Sequence, residues 1–257
     1  MLTASPFTRY NSVMSKLSGQ CVLITGGGSG IGLAAARLFL AEGARVAVAG
    51  RNVDKLRRAA EALKGGDRLI YLAADVTDPQ QVKRLVDDVT QRLGRIDVLV
   101  NNAGLNIKER TIRELTPERW RTLMAGNLEG AFHCMQAVLP QMRERQDGLI
   151  INVNSISGKR ANPLGGAAYN AAKFGLRGLA MSVAAEEKPN GIRVSSIYPG
   201  EVDTPILEQR PSPITEEHRR TILQPEDVAA AVLFIAMLPP NATVPELIIT
   251  PSKALYI

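Results

Sequence analysis

The chain has 257 residues, 45% hydrophobic and 22% charged, which is enough apolar material for a sizeable core and excludes a disordered polymer. Its formal net charge of +6 is dispersed. The densest basic runs, 55–58 and 218–220, are short, and with aromatics at 4% no rings interleave with cations, so a nucleic-acid groove is not expected.

Residues 1–18, MLTASPFTRYNSVMSKLS, have no apolar h-region and read as an N-terminal tail or arm; a later start at Met14 or an organellar transit segment stays open. No run is long enough to span a bilayer, so no membrane partner is expected. Cys21 and Cys134 lie far apart in apolar stretches, as free buried thiols of a reducing, cytoplasmic compartment would. His133 and His218 have no ligand-like spacing, so no metal is expected.

From Cys21 onward, short apolar or β-branched runs alternate with longer amphipathic ones. Strands are expected at Cys21–Thr25, Arg45–Ala49, Leu69–Leu72, Val98–Asn101, Leu149–Asn152, Arg193–Ile197 and Glu246–Ile249, most of them apolar on both faces. Helices are expected between them, at Gly30–Ala41 with Gly43 as its stop, at Val53–Leu63, and at Pro79–Leu93 with Asp78 as N-cap and Pro79 at N1. This alternation predicts an α/β fold in which 19–257 form a single domain, a Rossmann-type doubly wound sheet of about seven mostly parallel strands flanked by helices on both faces. Such sheets bind ligands at the carboxyl ends of their strands, where strand order reverses.

VLITGGGSGIG, residues 22–32, runs from a strand through glycines directly into a helix. Gly26 permits a sharp turn, Gly30 and Gly32 permit close backbone approach to a pyrophosphate, and the helix N-terminus favours its negative charge. A flexible glycine turn is the plainer reading. The G-x-x-x-G-x-G spacing resembles the short-chain dehydrogenase/reductase family, and the resemblance implies that Thr25, Ser29 and Ile31 join the glycines around the phosphates.

The second strand ends in Arg51-Asn52, where an NAD site would present an acid to the ribose 2′-hydroxyl. Arg51 offers a donor fork suited to a phosphate monoester, so NADP(H) is preferred, with NAD(H) possible because Ser29 stands where many NADP-binding relatives carry a basic residue. A surface arginine at a strand end is the alternative. By resemblance, Asp75 and Val76 contact the adenine, while Asn102, Ala103 and Gly104 belong to an NNAG motif that serves architecture as well as binding.

Tyr169 and Lys173 are four apart on an Ala-rich segment, so a helix brings both to one face. A nearby ammonium favours the phenolate, bringing a group of ordinary pKa near 10 toward neutral pH. Reducing a carbonyl then requires a hydride, a proton and a donor to the oxygen. Ser155, just beyond the fifth strand, is the natural donor, with Ser157 as competitor; the family's S-x-x-G pattern selects Ser155, one or so residues farther from the tyrosine than is commonest. By the same resemblance Asn127 holds a relay water for Lys173, although an asparagine satisfied by helix backbone is the alternative.

Pro199, Gly200, Val202 and Thr204 match the family's P-G-x-V-x-T segment at the nicotinamide amide. Residues 205–224 then read as a substrate lid or a plain surface loop. The C-terminal stretch departs from the V-D-G-G ending of many relatives and resembles a branch that includes hydroxy-acid and amino-acid-alcohol dehydrogenases. Together these residues imply a carbonyl/alcohol oxidoreductase acting on a small molecule, by resemblance a homotetramer or dimer; a non-catalytic NADP(H)-sensing protein on the same fold is the alternative.

Overall fold

A computed structural model describes residues 16–253. Residues 1–15 of the expected tail lie outside the described residues, but the tail does not extend to 18 as a loose segment: Leu17 is 1% exposed, packs into the core, and its N–H donates to the Glu42 carbonyl.

Among the described residues, seven strands form one parallel sheet in the order β3-β2-β1-β4-β5-β6-β7. They are β1 (Cys21–Thr25), β2 (Arg45–Gly50), β3 (Leu69–Ala73), β4 (Val98–Asn101), β5 (Gly148–Val153), β6 (Ile192–Pro199) and β7 (Glu246–Ile249). Every strand expected from the sequence is present; β2, β3, β5 and β6 extend one or two residues past an expected end because parallel pairing continues at Gly50↔Ala73, Gly148↔Ile192 and Pro199↔Ile249.

Strands β1, β4 and β5 are buried throughout, because helices cover both faces of the sheet. On one face α1 (Gly30–Ala41) and α8 (Pro225–Ala236) pack over Val22, Ile24, Val46, Val48, Val100 and Ile151. On the other, α3 (Pro79–Leu93), α5 (Gly130–Arg145) and α6 (Ala167–Glu187) cover Leu23, Ala47, Leu99 and Ile150. Helix α2 (Val53–Leu63) follows β2, while α4 (Pro117–Met124) leads through a π-helical turn, Ala125–Glu129, into α5. A short helix, α7 (Glu216–Arg219), precedes α8.

Local chemistry starts these helices where the sequence predicts. The Asp78 carboxylate accepts from the N–H groups of Gln80 (2.8 Å) and Gln81 (3.2 Å), with Pro79 at the first helical position. Asn52 accepts from the Lys55 N–H at 2.9 Å, and Gly43, at φ +83°, ends the turn after α1.

The sheet edge is tied in by a carboxylate. Glu246 on β7 accepts from Arg177 on α6 (2.8 Å) and Tyr198 on β6 (2.7 Å), and pairs with Lys159 from the loop after β5. Burial alone would raise the Glu246 pKa, but these three donors outweigh it and hold the carboxyl down at about 2. Burial pushes both thiols, Cys21 and Cys134, up to about 12, so they remain protonated at neutral pH.

Candidate active site

Strand order reverses between β1, whose chain moves off to β2, and β4, and a cleft of about 880 Å³ opens over the carboxyl ends of these strands. One end is made by the first glycine loop. Gly26 and Gly30 hold φ of +67° and +53°, in the left-handed region. A Cβ on Gly32 would stand 2.6 Å from the Gly26 carbonyl oxygen, so this glycine is needed for backbone-to-backbone packing and does not itself line the cleft.

Ser29 is the N-cap of α1, yet its side chain makes no capping hydrogen bond. Its hydroxyl and the first N–H groups of α1 are therefore left for a ligand at the positive end of the helix dipole, with Ile31 alongside. Such a donor set fits a pyrophosphate. Arg51, at the end of β2, lines the same end, and Lys55 on the first turn of α2 stands with it, a second cation that the sequence reading missed.

Other expected cofactor residues are spent on architecture. Thr25 Oγ1 accepts from the N–H groups of Asn102 and Ala103 (both 3.0 Å), while Asn102 Nδ2 donates to the carbonyls of Thr25 (3.0 Å) and Gly26 (3.2 Å). Both side chains stitch the end of β1 to that of β4, the structural role weighed for NNAG, and only Asn102, Ala103 and Gly104 reach the cleft wall. Asn52 is occupied as the α2 cap. Asp75 accepts from Thr77 N–H (3.0 Å) and Oγ1 (2.9 Å), and Val76 packs against Gly130; neither lines the cleft.

At the centre of the cleft the structure brings together Ser155, Tyr169 and Lys173. Helix α6 places Tyr169 and Lys173 one turn apart, with Nζ 5.6 Å from the phenol ring centroid. Ser155 accepts from Ser157 N–H at 3.1 Å and hydrogen-bonds the Tyr169 phenol, so the loop before α6 absorbs the extra residue between them. Ser157, the competitor, is buried, and its Oγ accepts from Asn162 at 3.3 Å.

Lys173 is 4% exposed, donates to the Val153 carbonyl at 3.3 Å, and has no carboxylate partner among the described residues. Burial pushes its ammonium pKa down to about 8. The phenol departs from the sequence expectation: burial raises the Tyr169 pKa, and the opposing influences are the Ser155 hydrogen bond and the charge of Arg110 rather than Lys173. Desolvation of the phenolate exceeds what these nearby donors return.

Asn127 sits in the π-helical turn. Its Nδ2 donates to the carbonyls of Leu105 and Leu123 (both 2.9 Å), and its Oδ1 accepts from Leu105 N–H at 3.1 Å. The backbone-satisfied alternative therefore describes most of its contacts, although one Oδ1 lone pair remains. The close approach of this amide and of Lys173 Nζ explains Gly104, where a Cβ would lie 3.0 Å from Asn127 Oδ1 and 3.8 Å from Nζ.

Pro199, Gly200, Val202 and Thr204 form the wall after β6. Across the cleft, residues 205–224 contribute Ile206, Leu207 and Ile222; the segment is pinned at its base where Leu223 N–H donates to Glu201 and Asp203 N–H to Leu223. Glu201 pairs with His218 (2.6 Å) and Arg210 (2.7 Å), and Arg219 pairs with Asp203. The acids of the wall after β6 thus engage His218 and Arg219.

The sequence reading missed Arg110 as well. It is 4% exposed, lines the cleft near Tyr169, and donates to the carbonyls of Ile107 (2.6 Å), Leu164 (2.7 Å) and Gln209. A net of amides steadies the same region: Asn106 donates to Gly165 (3.1 Å), Asn162 accepts from Gly165 N–H (2.8 Å), and Asn170 donates to Asn162 (2.9 Å).

The family model for short chain dehydrogenases matches residues 20–214. The 3-oxoacyl-(acyl-carrier-protein) reductase FabG of Thermotoga maritima is 39% identical over 234 residues, covering 86% of this chain and 92% of its own. Among solved structures, the closed form of a serine dehydrogenase complexed with NADP+ aligns with a TM-score of 0.84 at 29% identity, over 92% of this chain and 97% of that one. The 3-ketoacyl-(acyl-carrier-protein) reductase from Brucella melitensis complexed with NADH gives 0.84 at 29%, over 93% and 100%. Because the matched segment runs from the glycine loop past the wall after β6, and these relatives align over nearly their full lengths, this chain belongs to the short-chain dehydrogenase family.

Proposed function

We propose that the protein interconverts a carbonyl and an alcohol by hydride transfer, with NADP(H) preferred over NAD(H) and reduction as its favoured direction. The observation that carries this reading is the convergence of Ser155, Tyr169 and Lys173 in the cleft that also opens onto the uncapped start of α1. When bound, the reduced nicotinamide supplies a hydride to the carbonyl carbon. Ser155 donates a hydrogen bond to the oxygen as it gains charge, and Tyr169 delivers its phenolic proton there. A phenol kept above its ordinary pKa is the protonated, donating form at neutral pH, which suits reduction. Lys173 stabilises the phenolate that remains, and the free lone pair of Asn127 holds a water through which the proton returns.

The test is NADPH oxidation measured across ketones, aldehydes, oxo acids and quinones. A cofactor sensor would bind NADPH and turn over none of them. For the cofactor, Arg51 and Lys55 provide two cations at the strand end where an acid would repel a 2′-phosphate. Arg51→Ala is expected to weaken NADPH about 10- to 100-fold more than NADH, read by fluorescence titration of each; an unchanged ratio would remove the preference for NADP(H).

Residues 205–224 act in this reading as the substrate lid. We place the chain in the cytoplasm on the strength of its two buried free thiols; no described helix is long and apolar enough to cross a membrane. Recovery from a secreted fraction would count against this placement. Exposed Phe132, Phe174 and Met181 on α5 and α6 support a homo-oligomer, tetramer or dimer. Light scattering should give two or four times the 27.7 kDa chain mass, and a monomer at micromolar concentration would contradict it.

A further inference from the structure

Arg110 is a buried cation with no carboxylate partner among the described residues, and such a group is costly unless something in the working state neutralises it. Its neighbourhood sharpens the problem. Beyond the cofactor end, the described residues of the cleft wall put Arg110 and Arg210 beside one carboxylate, Glu201, and that acid already serves Arg210 and His218. Apolar side chains, Leu105, Leu164, Ile206 and Leu207, line the wall with these charges.

Guanidinium chemistry limits what can complete the site. Of the five N–H groups on Arg110, Nε–H is held by Ile107, one on Nη1 by Leu164 and one on Nη2 by Gln209. One N–H therefore remains on each terminal nitrogen, enough to donate two hydrogen bonds to a carboxylate. Its carbonyl partners come from the loop after β4, the loop before α6 and the lid, so the fork is held by three segments at once. Gly166, at φ +79°, lets the α6 start approach this closely: a Cβ there would lie 2.6 Å from Arg110 Cβ. Arg110 thereby stands beside the catalytic phenol, near enough for its charge to act on Tyr169.

We propose that Arg110 is the substrate-carboxylate site, so that the substrate class is an oxo acid and its hydroxy acid, with the carboxylate on Arg110 and the reacting oxygen at Ser155 and Tyr169. This rests on the carbonyl/alcohol reading above and adds to it the charge of the substrate. A purely structural clamp holding three carbonyls is the competing account, and the two differ in what they discriminate.

The experiment compares four- to six-carbon 2-oxo and 3-oxo acids with their primary amides, which keep shape and remove charge. Wild-type protein should favour the acid in kcat/KM, and Arg110→Met should lower the acid/amide ratio about 30- to 100-fold, with Arg110→Lys restoring part of it. If Arg110 only clamps loops, acid and amide fall together and the ratio is unchanged, which overturns the proposal. A wild-type ratio near one overturns it too. Calorimetric binding of the same acids and amides to protein saturated with NADP+ reads the ratio without turnover, so a protein that binds acids through Arg110 yet reduces nothing would sink the enzymatic reading while sustaining the carboxylate site.

Discussion

Tyr169→Phe should abolish most turnover, lowering kcat for carbonyl reduction by about 10³-fold while NADPH still binds. The substitution keeps the ring and its place on α6 and removes only the hydroxyl that Ser155 contacts. Hydride transfer to a carbonyl creates an alkoxide that must be protonated, and the phenol is the acid placed at Ser155: Ser155 itself is a far weaker acid, and Lys173 donates to the Val153 carbonyl. A loss of rate with cofactor affinity held to within a few-fold would separate chemistry from assembly of the site. Steady turnover by the phenylalanine variant on a verified substrate would dismiss the proposed acid.

Lys173→Met should act in two directions at once. A buried ammonium without a carboxylate destabilises the fold, so a side chain of similar length and no charge should raise stability by about 1–2 kcal/mol while lowering kcat/KM by about 100-fold or more. The pH dependence supplies the sign. The folded pKa of about 8 lies below the ordinary 10.5, so between these values the unfolded chain holds more protons than the folded one. Wild-type stability should accordingly gain from a rise in pH across that window, a gain absent from the methionine variant. Activity should move the opposite way, with kcat/KM for reduction falling above about pH 8 as the ammonium is lost. Thermal melts and a rate profile between pH 6 and 10 check both; a wild-type rate flat through this range would deny Lys173 an electrostatic role.

Much of this architecture was legible because the residues that make it act locally. Runs such as Cys21–Thr25 and Val98–Asn101 are apolar on both faces, and only a strand covered on both sides uses them well. Asp78-Pro79 and Gly43 mark helix limits through hydrogen bonds and backbone angles within a few residues. Tyr169 and Lys173 were legible as a pair because helical spacing alone aligns them.

What stayed hidden depends on contacts between distant segments. Arg110 stands in a polar stretch, Lys108-Glu109-Arg110-Thr111, that reads as solvated surface; its burial appears only when residues 107, 164 and 209 converge around it. Lys55 looked like one member of a basic run, and Glu246 stood only as the first residue of the last expected strand. Conversely, Thr25 and Asp75 looked like ligand contacts, but backbone donors 77 and two positions away reach them first. The phenol's acidity was misjudged for the same reason, since a charge four residues away is visible in sequence and the dryness around it is not.

The wide turn at Ala125–Glu129 ties the working geometry to chain length in a way that substitutions would not expose. A π-helical turn accommodates one residue more than the regular ladder, so deleting a single residue there would let α4 and α5 fuse into an uninterrupted α-helix at little cost to packing. If the lost residue is Ala125 or Gly126, the fused helix would carry Asn127 about 100° around its axis, releasing the Leu105 backbone. A protein shortened in this way should melt much as before and yet be catalytically crippled, which makes the register of this helix, more than the identity of any one of its side chains, the concealed condition for a working centre.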